Sequence, residues 1–153
     1  MASDNSNNEK TALFAGTFDP FTIGHHRLVQ RALTLFARVV IAVGHNSDKN
    51  SKLTFEERLD AISKLYADEK RIEVISYNGL TIDCAKSVNA DCLLRGVRSV
   101  KDFEYERELA DINRRISGIE TLLLVSEPEY SSISSSVVRE LMRYGKDVSD
   151  MLP

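Results

Sequence analysis

Residues 16–26 read GTFDPFTIGHH and hold two of the chain's three histidines. The apolar run ALFA precedes them and the helical pattern RLVQRALTLFA follows, so this chemistry stands at a joint between strand and helix. A helix N-terminus offers free N–H groups and the positive end of the helix dipole, which favours an anion. His25 at that position can donate a hydrogen bond to a phosphate oxygen, and Thr17 adds a hydroxyl. Gly16 lets the backbone approach a ligand, Pro20 stiffens the loop, and Gly24 opens the helix with His25. The plain alternative is a capped helix with an incidental surface histidine. The convergence of Thr17, Gly24 and His25 on one helix start weighs against it. His26 lies about 100° further round the helix and is expected in solvent.

Two other stretches carry chemistry of the same kind. RGVRS, residues 95–99, places Arg95 and Arg98 around Gly96. Guanidinium forks suit phosphate; a pair of surface ion-pairing arginines is the bland alternative. SSISSS, residues 131–136, follows Pro128 and runs into the last helical pattern. Hydroxyls and backbone N–H groups there would ring a second helix N-terminus, with Arg139 one turn inside. Lys49 would add a mobile positive charge, but spacing alone leaves it undecided against an ordinary solvated lysine.

Several classes of chemistry find no support in the residues. Neither a GxxxxGK[ST] nor a GxGxxG fingerprint occurs. No nucleophile-base pair, paired carboxylates or metal-ligand spacing stands out. Cys84 and Cys92 match no metal or redox motif and read as buried thiols. Anion clamps, hydroxyls and one histidine suit nucleotidyl or phosphoryl transfer between bound substrates, by positioning and by stabilising developing phosphate charge.

These residues need a scaffold that gathers them. Short apolar runs at 12–15, 39–43, 72–75, 91–94 and 121–125 read as strands covered on both faces. Helical patterns lie between and after them at 25–37, 55–67, 80–88, 101–116 and 135–144. Thr54 with Glu57 makes a capping box at the second helix, and Phe103, Leu109, Ile112 and Ile116 recur at helical spacing in the fourth. The alternation predicts an α/β fold: a single-domain, doubly wound, five-stranded parallel sheet. With strand order 3-2-1-4-5, Arg95 and Arg98 face His25 across the switch-point crevice. The unusual polar stretches all follow strands, on the edge where such a sheet binds its ligand.

The 153 residues suit one domain, and the net charge of −3 argues against nucleic acid as a partner. No apolar stretch approaches the roughly 20 residues that span a bilayer, so no membrane partner is expected. Residues 1–10, MASDNSNNEK, read as a disordered polar leader ahead of a domain at 11–153. The start lacks a signal-peptide pattern, and a cytoplasmic location is expected.

GTFDPFTIGH, the lysine after the second strand, TFEER, RGVRSVKDFEYE and ISSSVVRE occur in that order. Together they resemble the bacterial phosphopantetheine adenylyltransferase family of the nucleotidyltransferase superfamily, over nearly all of residues 11–153. The resemblance implies transfer of the adenylyl group of ATP to 4′-phosphopantetheine, giving dephospho-coenzyme A and pyrophosphate, the penultimate step of coenzyme A biosynthesis. It implies Mg²⁺ bound mainly through the ATP phosphates, direct transfer without a covalent enzyme intermediate, and a homohexamer.

Carried over by position, His25 is the transition-state stabiliser and contacts ATP, and Thr17 lies between both substrates. Lys49, Thr81 and Arg95 fall on the phosphopantetheine side. Phe18, Gly96, Val97, Arg98, Glu106 and the run Tyr130, Ser131, Ser132, Ile133, Ser134, Ser135 and Ser136 fall on the ATP side. Thr22 stands at the first position of the HxGH-type signature, and Tyr130 where an aromatic precedes the serines. Thr81 is polar where hydrophobic residues are common. His26 and Arg27 receive no role. Another small nucleotidyltransferase, or a non-catalytic ATP- or coenzyme A-binding module, is the rival reading.

Overall fold

A computed structural model describes residues 9–45 and 52–153. Lys49 and the first eight residues of the expected leader lie outside the described residues. The chain runs β1 (Thr11–Gly16), α1 (Ile23–Ala32), β2 (Arg38–Gly44), α2 (Phe55–Leu65), β3 (Ile72–Tyr77), α3 (Thr81–Ser87), β4 (Cys92–Val97), α4 (Val100–Ser117), β5 (Glu120–Val125) and α5 (Ser135–Arg143), with short 3₁₀ turns at Pro128–Tyr130 and Ser149–Met151. The five strands form one parallel sheet in the order β3-β2-β1-β4-β5. This is the expected doubly wound sheet, with β1 and β4 adjacent at the switch point.

Successive strand residues point to opposite faces, which splits the core in two. Phe14, Val39, Ile41, Val43 and Leu94 pack with Leu28, Val29 and Ala32 of α1 and Ile62 of α2. Leu13, Ala15, Val40, Ala42 and Leu93 pack with Ile82, Cys84 and Ala85 of α3 on the other face. Thr22 and Thr54 cap α1 and α2 through capping boxes, so Thr54 and Glu57 act as the sequence predicts.

Two boundaries and one helix face differ from expectation. RGV does not follow β4 but ends it: Arg95, Gly96 and Val97 pair with Leu123, Leu124 and Val125. Helix α1 stops at Ala32 rather than 37, because Leu35 N–H reaches back only three residues to Ala32 O, and Thr34 Oγ1 bonds Arg31 O. Helix α4 turns a different face inward than its apolar spacing suggests. Phe103, Ile112 and Ile116 are 45%, 51% and 58% exposed, while Glu106 is buried and Ala110 and Asn113 are half-buried.

Candidate active site

The crevice opens at the C-terminal ends of β1 and β4. After Gly16 the chain turns sharply: Phe18 adopts a left-handed backbone with φ 53° and sends its ring back into the core. There it meets Phe14 and Phe21 edge-on, at 5.0 and 5.1 Å between centroids. Phe18 therefore borders the crevice with its ring turned into the core. Thr17, just before it, is exposed.

Helix α1 starts from Thr22, and His25 is its third residue. The Thr22 backbone N–H donates to His25 Nδ1 at 2.9 Å, and Thr22 Oγ1 lies 3.2 Å from the same nitrogen. An imidazole that accepts at Nδ1 and is neutral carries its proton on Nε2. His25 is neutral: burial, then the charges of Arg95 and Arg98, lower its pKa from 6.5 to about 4. Phe14, Phe18 and Phe21 surround the ring at 6.0, 5.1 and 5.3 Å. The local sequence thus builds a fixed, uncharged N–H donor at a helix N-terminus.

A second helix N-terminus stands opposite. Ser134 caps α5 by accepting from Val137 N–H. Ser135 Oγ donates to Pro20 O at 2.8 Å, and Arg139 Nη1 donates to Asp19 O at 2.8 Å. These two bonds tie α5 to the β1–α1 loop. Gly24 also lines the crevice there.

Arg95 leaves β4 on the other side of the crevice. Its Nε and Nη2 pair with the two carboxylate oxygens of Glu106 at 2.9 and 2.8 Å, and Nη1 donates to Ala15 O at 2.8 Å. Arg98 stands beside Asp102, Nε to Oδ2 at 3.5 Å.

The result is a cavity of about 400 Å³. Thr17, Phe18, His25, Arg95, Gly96, Arg98 and Glu106 line it from one side, and Tyr130, Ile133, Ser134, Ser135, Ser136 and Arg139 from the other. Val97 is buried in β4, and neither it nor Ser131 and Ser132 borders the cavity. Thr81 borders a second cavity of about 180 Å³ with Leu109, Asn113 and Thr121. Arg95 and Glu106 line both cavities, so the ion pair is the partition between them.

This chain matches the family model described as cytidylyltransferase-like over residues 13–141. It is 54% identical over 144 residues to the phosphopantetheine adenylyltransferase of Bacteroides fragilis, across 94% of this chain and 96% of that one. The chain belongs to the phosphopantetheine adenylyltransferase family. The relative of that name in Porphyromonas gingivalis is 51% identical over 142 residues, 93% of each chain. The sheet and helices of this chain also superimpose on a bifunctional NMN adenylyltransferase/ADP ribose pyrophosphatase from Francisella tularensis, with a TM-score of 0.69 at 12% identity. That match covers 94% of this chain and 44% of the longer one, and it concerns the fold alone.

Two buried charged residues near the site, Arg58 and Asp19, escape sequence reasoning. Arg58 is 2% exposed, and its Nη1 donates to both Thr17 O and Gly44 O, which pins the ends of β1 and β2. Asp19 is 4% exposed and accepts from the N–H groups of Lys52 and Leu53, each at 2.9 Å. Arg58 did leave a signal: it follows Phe55 by three residues and precedes Ile62 by four, on the stripe that should be apolar. His26 departs from its expected solvation. It is half-buried, and its Nδ1 lies 2.8 Å from Tyr66 Oη.

Proposed function

We propose that this protein transfers the adenylyl group of ATP to 4′-phosphopantetheine, releasing pyrophosphate and forming dephospho-coenzyme A. The carrying observation is the pair of adjoining cavities divided by Arg95 and Glu106, in a chain whose relatives bear the name phosphopantetheine adenylyltransferase. The larger cavity, between the N-termini of α1 and α5, suits a triphosphate. The smaller, reached past Arg95, suits the pantetheine arm, with Thr81 and Asn113 as polar contacts.

In this reading an oxygen of the acceptor phosphate attacks the α-phosphorus of ATP. One P–O bond forms as the bond to pyrophosphate breaks. Negative charge grows on the equatorial oxygens, where His25 Nε2–H donates without changing its own charge. Thr17 stands between the two phosphates. Arg95 and Lys49 hold the acceptor; Arg98, Tyr130 and Ser134 to Ser136 hold the nucleotide. Gly96 borders the nucleotide with its backbone. Val97, Ser131 and Ser132 support that surface rather than touch it, and Glu106 acts through Arg95. No protein nucleophile is needed for a direct transfer.

No group of three or more His, Cys, Asp or Glu suited to a metal occurs among the described residues. The carboxylates at the cavity already have partners: Asp19 with two backbone N–H groups, Asp102 with Arg98, Glu106 with Arg95. The residues therefore fit Mg²⁺ carried on the ATP phosphates, where it would neutralise phosphate charge, and not a cation caged by the protein. The proposed homohexamer is supported by the exposed apolar residues of α4. No helix among the described residues is long and apolar enough to cross a membrane, and a biosynthetic role on ATP fits the cytoplasm.

Pyrophosphate release from ATP and Mg²⁺, with and without 4′-phosphopantetheine, tests the reading. Nicotinamide mononucleotide and glycerol 3-phosphate serve as parallel acceptors. Release that depends on phosphopantetheine alone is the expected result. Release with another acceptor instead would reassign the substrate, and ATP binding without any release would leave a binding module.

A further inference from the structure

His26 is the residue next to His25, and it is not part of the cavity. Its ring stacks on Tyr66 with 5.6 Å between centroids and 30° between planes, and its Nδ1 lies 2.8 Å from Tyr66 Oη. Tyr66 closes the C-terminus of α2 and is 7% exposed. The same Tyr66 ring meets Phe21 edge-on at 6.1 Å and 90°. Phe21 in turn lies against the His25 ring at 5.3 Å. These contacts close a circuit: His25 to Phe21, Phe21 to Tyr66, Tyr66 to His26, and His26 back to His25 through one peptide bond.

The circuit has a mechanical consequence. A side chain at the third position of a helix moves with any roll of the helix about its axis. Ring packing alone resists a roll weakly, because stacked faces slide. A hydrogen bond with one fixed acceptor does not slide. Burial pushes the Tyr66 hydroxyl up, and burial with the nearby Arg27 charge holds the His26 imidazole below its ordinary range. Both groups are thus neutral near pH 7, one giving and the other accepting the shared proton.

We propose that His26 and Tyr66 are a positioning pair for His25: their hydrogen bond locks the first turn of α1 against the end of α2, and Tyr66 backs the Phe21 wall of the imidazole pocket. Neither residue lines the two cavities of the site. The pair's role rests on the adenylyl-transfer reading only in that His25 is the group positioned.

Tyr66→Phe removes the hydroxyl and keeps the ring. His26→Leu removes the polar partner of that hydroxyl, and His26→Gln restores one. Two readouts are needed: steady-state kinetics, and the nitrogen and proton resonances of the His25 ring in the free protein across pH. Tyr66→Phe and His26→Leu should each lower kcat about 3- to 10-fold with both KM values nearly unchanged, as expected for a small misplacement. In both, the His25 titration midpoint should move from about 4 toward 6.5. His26→Gln should recover most of each effect. Unchanged kcat with unmoved His25 resonances would overturn the proposal, even where unfolding midpoints fall. A wild-type protein without phosphopantetheine-dependent release would defeat the functional reading instead, while the His25 resonances still decide the positioning.

Discussion

The Thr22 backbone N–H donates to Nδ1 of His25 at 2.9 Å, so the proposed transition-state donor is also the third residue of its own helix's capping box. Glu or Gln ordinarily fills that place. One hydrogen bond therefore sets the tautomer and closes the helix start. His25→Ala removes both functions. It should lower kcat by roughly 10²- to 10³-fold, leave ATP affinity nearly unchanged, and cost about 1 kcal/mol of stability. His25→Gln keeps an acceptor for Thr22 and should recover the stability but only part of the rate. Turnover near wild type in His25→Ala would remove the catalytic assignment.

The depressed pKa of His25 makes stability depend on acid. The unfolded histidine titrates near 6.5 and the folded one near 4. Between these values the unfolded chain binds more protons, so stability rises with pH across that window and is lost as pH falls through it. The full contribution, present above about 6.5, is at most roughly 3 kcal/mol. Urea midpoints at pH 7 and pH 4 should therefore differ more for wild type than for His25→Gln, which has no proton to take up there. Parallel losses in the two proteins would place the acid sensitivity elsewhere.

Glu106 holds Arg95 with both oxygens, and the pair walls off one cavity from the other. Glu106→Gln keeps the shape but points an amide N–H₂ at a guanidinium that already donates. Arg95 would then swing, and its bond to Ala15 O would weaken. The KM for phosphopantetheine should rise roughly tenfold, and the KM for ATP should stay within about twofold. An effect confined to ATP would put Arg95 on the nucleotide side.

Much of this site is visible in the sequence because its parts are local. The capping residues, the glycine in the first turn of α1 and the serine run at α5 each announce a helix N-terminus within a few residues. Strand-helix alternation then puts them on one edge of the sheet. What stays hidden is long-range pairing. Arg58 bonds carbonyls 41 and 14 residues away, and its place on an otherwise apolar stripe marks it as inward without naming those partners. Glu106 sits in a helix so rich in charge that its inward turn has no local mark, while the apolar residues beside it face outward. Helix geometry rotates His26 away from His25 but cannot say that Tyr66, 40 residues on, waits there.

Gly96 offers a test of how tightly α1 sits on β4. A Cβ at Gly96 would lie 2.8 Å from Leu28 Cδ1, and Leu28 is buried in α1, three residues after His25. Because the contact is with the end of a side chain, Gly96→Ala should be met by a shift of the Leu28 rotamer at a cost of about 1 kcal/mol. Leu28→Ala makes a cavity and costs about 2–5 kcal/mol by itself. In the double variant the new methyl enters the space that Leu28 vacates, so the two losses should sum to more than the measured one. Urea titration of the four proteins gives the coupling directly. Strict additivity would mean that α1 and β4 do not meet at this contact.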